Sequence, residues 1–464
     1  MSERRYDLIV IGSGPAGEKG AAQAAYFGKK VALIEMEPVL GGAATNTGTL
    51  PSKTLRESAL YLSGFNQRGL YGINTKLKEK VTAEDFLYRE KLVVQSERSR
   101  ITENIKRHDI ELMQGEAHFI DEHTIEVTQK ERHPFSIFGD VILIAVGSFP
   151  FRPVNFPFED PRVFDSDTIL NMGELPGSML IAGGGVIGCE YACMFAALGI
   201  KVHLIEGKET LLSFLDSEIS QRLQKSIQSM GIDLLLSTEI ESVMASEKIE
   251  VQLLNGDVLE VESLLAATGR NGRTQNLGTE NIGLVVGGRG HLAVNNMYQT
   301  DIKHIYAAGD VIGFPALAST AMEQARIAMV HAFDLEYKTE LATILPFGIY
   351  TIPECSVAGK TEQELLKENI PYIVGRANFN ENARGQIIGE EDGLLKLLFR
   401  KSDMKLLGVH IIGESASELV HVGLTALLMG AGAELFIKTC YNYPTLTEVY
   451  KYATYDALGH LTEK

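Results

Sequence analysis

The same glycine-rich pattern occurs twice in this chain, and the repeat constrains the fold more than any other feature. Each copy starts with a short apolar run of the kind that forms a buried strand. The run passes into a G-x-G-x-x-G segment, at residues 12–17 and again at residues 183–188. A helical stretch and a second apolar run follow, and that run ends in Glu35 or in Glu206. This order predicts two β-α-β units of the Rossmann type.

The three glycines of each segment have different physical tasks. The first permits a tight turn, the second lets the backbone approach a pyrophosphate, and the third lets helix and strand pack closely. The helix N-terminus directs free N–H groups at the phosphates, and the acidic residue bonds a ribose hydroxyl. Two accidental glycine-rich turns are the alternative, which the shared strand-helix-acid context disfavours. The predicted nucleotide contacts are Gly12, Gly14, Pro15, Ala16, Gly17 and Glu35 in the first copy, and Gly183, Gly185, Val186, Ile187, Gly188 and Glu206 in the second.

Composition excludes several classes of function. The 464 residues include 43 basic and 60 acidic side chains, a net charge of −17 that argues against non-specific binding to nucleic acid or to an anionic membrane. No segment has the pattern of a signal peptide or of a membrane span, so we expect a cytoplasmic protein. The four cysteines are too few and too scattered for a disulfide scaffold.

Outside the two copies, the pattern indicates further domains of an α/β fold. Residues 82–108 are predicted to form an amphipathic helix, and the proline-rich residues 149–161 a crossing between domains. From residue 346 onward, strands and helices continue without a third glycine segment. Thr361 and Glu364 have the spacing of a capping box. We therefore expect an α+β domain at 346–464.

Two dinucleotide sites on one chain imply electron transfer between two dinucleotides, most simply a bound flavin and an exchanging nicotinamide. Residues 300–310 read TDIKHIYAAGD, which resembles the second flavin signature of flavoproteins with two such sites. That resemblance assigns Gly309 and Asp310 to FAD, with Asp310 on the ribityl chain. The turns at Gly147 and Gly269 resemble those that return the chain between domains. Residues 1–150 with 271–345 are thus expected to bind FAD, and residues 151–270 to bind NAD(P).

Over essentially its full length, the chain resembles the pyridine nucleotide–disulfide oxidoreductase family, but it lacks that family's redox pair. The family has GG-x-C-x4-C-x-PSK after the first glycine segment, and residues 41–53 here read GGAATNTGTLPSK. Ala44 and Thr49 occupy the thiol positions, and neither can form a disulfide. Tyr443 stands where the family's His-Pro-Thr-x-x-Glu motif has a proton-shuttling histidine. Tyrosine, with a reference pKa of about 10, is a poor shuttle at neutral pH.

The resemblance also implies which residues remain functional. It adds Gly41, Gly42, Ala43 and Ala44 to the expected FAD contacts. It places Lys53 and Glu190 as an ion pair beside the flavin and nicotinamide rings. A cation there stabilises negative charge on a reduced flavin, and the carboxylate holds the lysine. The alternative is an unrelated surface lysine and helix glutamate.

Within the family, three segments resemble the transhydrogenase branch, namely Gly48-Thr49, residues 348–354 and residues 442–445. This implies FAD-dependent hydride transfer between NAD(H) and NADP(H), by ping-pong exchange at one nicotinamide site. It also implies a homodimer or a higher homo-oligomer assembled through the C-terminal domain. Ala44 departs from that branch, whose members usually keep one cysteine there. Glu206 favours NAD(H), because it would repel the 2′-phosphate of NADP, and Lys208 is the only nearby cation.

Two other functions stay open at this point. An NAD(P)H:quinone or diaphorase-type reductase needs the same two cofactor sites, and Glu206 favours it slightly because it could use NADH alone. A non-catalytic flavoprotein sensor is disfavoured by Lys53 and Glu190. Cys189 and Cys193 are interpreted as small buried residues of a helix, and no histidine has a ligand-spaced partner. No metal is therefore expected.

Overall fold

The structure, a computed structural model, describes residues 4–64, 70, 81–130, 132–336, 338 and 340–462. Its strands, in chain order, are β1 (Arg4–Ile11), β2 (Val31–Glu35), β3 (Glu111–Gln114), β4 (Glu116–Phe119), β5 (Thr124–Thr128), β6 (Phe135–Ile144), β7 (Ser148–Pro150), β8 (Val163–Asp165), β9 (Ser178–Ala182), β10 (Lys201–Glu206), β11 (Asp233–Leu236), β12 (Ile240–Ala245), β13 (Ile249–Leu253), β14 (Val258–Val261), β15 (Ser263–Ala266), β16 (Arg270–Gly272), β17 (Ile305–Ala307), β18 (Phe347–Ile349), β19 (Cys355–Gly359), β20 (Tyr372–Asn378), β21 (Leu394–Arg400) and β22 (Leu406–Ile412). Its α-helices are α1 (Pro15–Tyr26), α2 (Gly42–Asn46), α3 (Thr49–Ser63), α4 (Ala83–Arg107), α5 (Val186–Ala197), α6 (Ser217–Ser229), α7 (Ala318–Ala332), α8 (Glu362–Lys367), α9 (Ala383–Ile388), α10 (Ala416–Leu428), α11 (Ala433–Lys438) and α12 (Val449–Thr462).

The first sheet contains the first glycine segment and has the strand order β3-β2-β1-β6, with β17 paired to the far end of β6. These pairs are parallel, whereas the first half of β6 pairs antiparallel with β5, and β5 with β4. Strand β2 is buried along its whole length, as a parallel strand covered on both faces must be. The alanine-rich α1 packs against α7 on one face of the sheet. The carboxyl ends of β1, β2, β6 and β17 therefore meet at one edge.

The second sheet contains the second glycine segment and has the parallel order β11-β10-β9-β15-β8. The chain crosses between the two sheets through β7 and β16, which pair antiparallel. Helix α5 is apolar around most of its circumference, as expected for a helix enclosed on several sides. It packs on β10 and on α3 of the first unit. The predicted α/β class with two Rossmann-like units is confirmed, while the domain limits given above stay a prediction.

The third sheet is antiparallel, in the order β18-β19-β22-β21-β20, with α10 and α12 packed on it. Helix α8 begins at the predicted capping box. The Thr361 hydroxyl accepts the Glu364 N–H at 3.2 Å, and the Glu364 carboxylate accepts the Thr361 N–H at 2.8 Å. A second box, from Thr82 and Asp85, starts α4 within the segment predicted to be an amphipathic helix.

A buried ion cluster joins the second sheet's helix α6 to the third sheet. The Lys396 ammonium on β21 lies 2.7 Å from Asp216 Oδ1 and 3.1 Å from Glu218 Oε2, and it also contacts Glu362 in α8. Burial alone would lower the pKa of Lys396, but hydrogen bonds to Asp216 and Glu362 outweigh it and raise that pKa. The three carboxylates are close enough together to hold a cation, and the ammonium already lies among them. The cluster holds α6 against the third sheet.

None of the helices in the described part of the chain combines the length and the apolar character needed to cross a membrane.

Candidate functional site

The first glycine segment turns tightly at the end of β1. Gly12 has a φ of +101°, and a Cβ there would lie only 2.4 Å from the Ala145 carbonyl oxygen on the neighbouring chain segment. A Cβ at Gly17 would lie 1.8 Å from the Gly12 carbonyl oxygen. Both positions thus need glycine, because the turn and the helix approach each other at backbone distance.

The second glycine segment repeats this geometry. Gly183 has a φ of +110°, and a Cβ there would lie 2.5 Å from the Ala267 carbonyl oxygen. A Cβ at Gly188 would lie 1.8 Å from the Gly183 carbonyl oxygen. The two units therefore share their close contacts as well as their sequence pattern.

A Cβ at the middle glycines would meet no clash. For a Cβ at Gly14 the nearest atom would be Gly42 Cα, 3.8 Å away, and a Cβ at Gly185 would have nothing within 4 Å. These residues are the N-caps of α1 and α5, and neither helix has a side-chain cap. The first N–H groups of each helix, at Ala16 and Gly17 or at Val186 and Ile187, have no intrahelical acceptor. Pro15 takes the first position of α1, where an N–H is dispensable.

The acidic residue of the first unit is oriented by the glycine loop itself. Glu35 is buried at the end of β2, and its Oε2 accepts the Ser13 N–H at 2.9 Å and the Ser13 hydroxyl at 2.6 Å. Its Oε1 accepts the Glu37 N–H at 2.8 Å. Ser13 Oγ in turn accepts the Gly41 N–H at 3.0 Å, so the next loop is tied to the same point.

The remaining residues predicted to contact FAD converge on this edge. Gly42 lies against Gly14, since a Cβ on Gly42 would be 2.8 Å from Gly14 Cα. Gly147 follows β6, and Asp310 follows β17. The Asp310 carboxylate accepts the Ser148 hydroxyl at 2.6 Å, and the Gly309 N–H donates to Gln324 at 2.9 Å. Ala43 and Ala44 lie in the short helix α2 beside Gly42.

The second unit encloses a cavity of about 530 Å³ at the carboxyl edge of its sheet. Gly183, Gly185, Glu206 and Gly269 all line it. Glu206 Oε2 accepts the Gly184 N–H at 2.7 Å, and its Oε1 accepts the Lys208 N–H at 2.9 Å. The carboxylate is thus held in the cavity wall, whereas the Lys208 ammonium bonds Ser213 at 3.4 Å.

Lys53 and Glu190, far apart in sequence, form a close ion pair. The Lys53 ammonium lies 2.9 Å from Glu190 Oε1 and 2.8 Å from Oε2. The Lys53 side chain is 26% exposed and that of Glu190 is 3% exposed, so solvent reaches the pair only through the lysine. Glu190 Oε1 also accepts the Tyr350 N–H at 2.9 Å. Three parts of the chain therefore meet here, from α3, α5 and the end of β18.

Three of the four cysteines are buried and unreactive, and all four lie outside residues 41–53. Cys189, Cys193 and Cys355 are buried, and Cys440 is exposed. Burial raises the pKa of Cys189 well above its usual value and that of Cys193 to about 12. Because a thiolate is the reactive form, these buried groups are inert at neutral pH.

Sequence reasoning missed contacts that fix these groups. Ser148 bridges Asp310 to Arg270, which donates from Nε to the Ser148 hydroxyl at 2.9 Å and from Nη1 to Asp167 at 3.0 Å. The sequence resemblance includes Tyr350 only as one of residues 348–354, and it gives no sign that the Tyr350 N–H bonds Glu190. Ser148 directly follows Gly147, which is itself a predicted FAD contact, so its position in the sequence is a signal. Tyr350 has no such signal, because its contact with Glu190 depends on how the third sheet packs.

Two family models match the chain. The model described as pyridine nucleotide-disulphide oxidoreductase matches residues 6–325, and that family's dimerisation domain matches residues 345–454. The chain belongs to the pyridine nucleotide-disulphide oxidoreductase family. FAD is the cofactor and nicotinamide nucleotides are the substrates of this class of enzyme.

Curated relatives are similar over nearly the whole length. A soluble pyridine nucleotide transhydrogenase from Mycobacterium bovis is 45% identical over 99% of this chain and 98% of its own. One from Colwellia psychrerythraea is 43% identical over 98% of each chain.

Solved structures are also similar to this one. An HOCl-induced flavoprotein disulfide reductase from Escherichia coli has a TM-score of 0.86 and 26% identity, covering 96% of this chain and 98% of its own. LpdA from Mycobacterium tuberculosis has a TM-score of 0.89 and covers 97% of this chain and 99% of its own; at 24% identity it supports the fold alone.

The residues present fit the dinucleotides. Gly14 and Gly185 each leave room (a cradle) where a Cβ would otherwise project, beside two uncapped helix N-termini suited to a pyrophosphate. In each unit a backbone N–H of the glycine segment holds the carboxylate at the end of the next strand, where the Rossmann pattern predicts a ribose contact. We expect the first cradle to hold FAD and the second to hold the nicotinamide nucleotide.

We predict opposite consequences for the same substitution at two glycines of the second unit. Gly188→Ala places a methyl group against a backbone oxygen, so the thermal unfolding temperature should fall substantially, since such overpacking costs about 1–3 kcal/mol or more. Gly185→Ala meets open space, so stability should be kept while the Kd for NADH rises at least about tenfold. Thermal denaturation and NADH titration distinguish the two. Equal unfolding temperatures would contradict this assignment.

We also predict that the holoprotein takes up two electrons per FAD in a dithionite titration, because the redox loop has no thiol pair. The reduced spectrum should lack the long-wavelength band of a thiolate–flavin charge-transfer pair. As a control, denatured protein should show four free thiols before and after reduction. Uptake of four electrons, or the charge-transfer band, would mean that a disulfide takes part.

Proposed function

We propose that this protein is an FAD-dependent transhydrogenase that transfers hydride between NAD(H) and NADP(H) by ping-pong exchange at one nicotinamide site. One observation carries the proposal: the chain keeps both dinucleotide cradles and the Lys53–Glu190 pair, yet has Ala44 and Thr49 where a disulfide reductase needs thiols. The names of its full-length relatives agree with it.

The proposed reaction needs only hydride transfer, and the residues that remain are sufficient for it. A reduced nicotinamide loses one hydride and an oxidised nicotinamide gains it, so the exchange neither releases nor consumes a proton. No general acid is needed, and Tyr443 in place of a histidine costs the reaction nothing. When bound, FAD supplies a two-electron carrier between the two half-reactions.

In this mechanism the protein binds, orients and stabilises charge. Glu35 and Asp310 would hold hydroxyl groups of the FAD ribose and ribityl chain, and the cavity of the second unit would hold the nicotinamide nucleotide. Lys53 would supply positive charge beside the bound flavin, and Glu190 keeps the ammonium in place. With Glu190 almost fully buried, solvent screens the pair only weakly.

The proposed organisation has an FAD-binding domain at 1–150 and 271–345, an NAD(P)-binding domain at 151–270 and an interface domain at 346–464. The match to a dimerisation domain supports homo-oligomers. We propose at least a homodimer assembled through residues 346–464, located in the cytoplasm.

Purified holoenzyme with NADPH and thio-NAD⁺ tests the proposed function. We expect reduction of the thio-nucleotide at a rate well above that of protein stripped of FAD, since the exchange requires the flavin. A Lys53→Met variant should retain FAD but lose most of this activity, with Lys29→Met as a control for the loss of a surface charge. If the enzyme reduces other acceptors but not thio-NAD⁺, the proposed function is wrong.

An NAD(P)H:quinone or diaphorase-type reductase is the second candidate, because Glu206 favours NADH and such an enzyme needs no second nucleotide. Turnover with a soluble quinone, measured beside turnover with thio-NAD⁺, separates the two. A non-catalytic flavoprotein sensor would show no flavin bleaching by NADH within seconds.

Glu206 is expected to set the preference for NADH over NADPH. Glu206→Ser removes a charge from the wall of the 530 Å³ cavity and should improve kcat/KM for NADPH relative to NADH by about tenfold, since a nearby carboxylate opposes the 2′-phosphate. Glu209→Ser, which removes a charge from the exposed loop nearby, is the matched control. An unchanged ratio in Glu206→Ser would show that Glu206 does not reach the ribose.

A further inference from the structure

Tyr350 contacts the Lys53–Glu190 pair in two independent ways. Its backbone N–H donates to Glu190 Oε1 at 2.9 Å. Its ring lies under the Lys53 ammonium, with the nitrogen 4.9 Å from the ring centroid. One residue of the third sheet thus touches both members of an ion pair formed by the first and second units.

The far end of the Tyr350 ring lies beside Ser417, at the start of α10. Burial raises the pKa of Tyr350, so the phenol is neutral. The Ser417 hydroxyl donates to Glu354 at 2.7 Å.

Glu354, which accepts the Ser417 hydroxyl, contacts the helix that carries Lys53. Glu354 lies 3.3 Å from Arg56 Nη1, and Arg56 Nε donates to the Thr351 carbonyl at 3.0 Å. Arg56 follows Lys53 by one turn of α3, and both Arg56 and Glu354 are buried. The bond from Ser417 to Glu354 and the ion pair from Glu354 to Arg56 therefore connect the surroundings of the Tyr350 ring to α3.

A cation held over an aromatic face is stabilised by the negative charge of that face, and more strongly in a poorly hydrated site than at an exposed one. The Lys53 ammonium is also bonded to Glu190 on one side. The ring limits the directions left to the ammonium and replaces part of its hydration shell.

We propose that Tyr350 is a positioning residue for hydride transfer, which fixes Glu190 through its N–H and aims the Lys53 ammonium at the flavin through its ring. The inference rests on the proposed function, because it takes Lys53 to act on bound FAD. It means that the C-terminal domain takes part in the redox site of its own chain, in addition to any role in oligomerisation.

The test compares Tyr350→Leu and Tyr350→Phe as FAD-loaded enzymes. In Tyr350→Leu the N–H remains and the ring is lost, so the flavin midpoint potential should become more negative and reduction by NADH about tenfold slower, with the Kd for NADH little changed. Tyr350→Phe keeps the ring and should stay close to wild type in both measurements. Phe333→Leu is the matched control, because its ring also lies 4.9 Å from a lysine ammonium, that of Lys29, away from the site.

A Lys53→Met background shows whether Tyr350 acts through the lysine. Adding Tyr350→Leu there should cause no further shift in potential, whereas a full additional shift would overturn the inference. Unchanged potential and rate in Tyr350→Leu alone would overturn it too.

Should Tyr350→Leu fail to fold, fluorinated phenylalanines at position 350 keep the ring's shape while weakening its negative face. The potential should then shift step by step with fluorination, and a constant potential would contradict the inference. If the wild-type enzyme exchanges no hydride between nucleotides, the proposed function is wrong. The flavin midpoint potential, measured with a chemical reductant, still tests the role of Tyr350 in that case.

Discussion

The ion pair between Lys53 and Glu190 is the contact on which the arrangement of this protein depends. Glu190 is almost fully buried, and an unpaired carboxylate there would be costly, so α3 and α5 must stay close enough for the lysine to reach it. The pair forms where the two dinucleotide units pack together. It thereby fixes the relative position of the proposed flavin and nicotinamide sites.

The site keeps the residues expected to bind the two dinucleotides but lacks the thiol pair of a disulfide reductase. Nucleotide cradles, ribose carboxylates and the ion pair are all present, and the two thiol positions are Ala44 and Thr49. With a flavin bound, such a site would support hydride transfer to and from a nicotinamide, but it lacks the thiol pair that would pass electrons to a disulfide. The buried cysteines do not replace the pair, because they lie outside the redox loop and are held as neutral thiols.

Much of this was predictable because it is local. The glycine segments, the strands before them and the acids after them are set by backbone geometry within one β-α-β unit, and the structure reproduces the same close contacts in both copies. The capping box of Thr361 is equally local. The pairing of Lys53 with Glu190 came from the family resemblance, since no pattern in either segment reveals a partner more than a hundred residues away.

The sequence by itself determined the two Rossmann-like units, the absence of redox thiols and the acid at the end of the second strand of each unit, because each depends on residue identity and short-range spacing. Only the tertiary structure decided what surrounds the reacting groups. The Tyr350 ring contacts Lys53, and Ser148 joins Asp310 to Arg270. Lys396 lies among three carboxylates. Each of these contacts depends on how segments far apart in sequence pack against each other. Those contacts are few, long-range and buried, so their energies depend on the whole packed core and not on any segment alone.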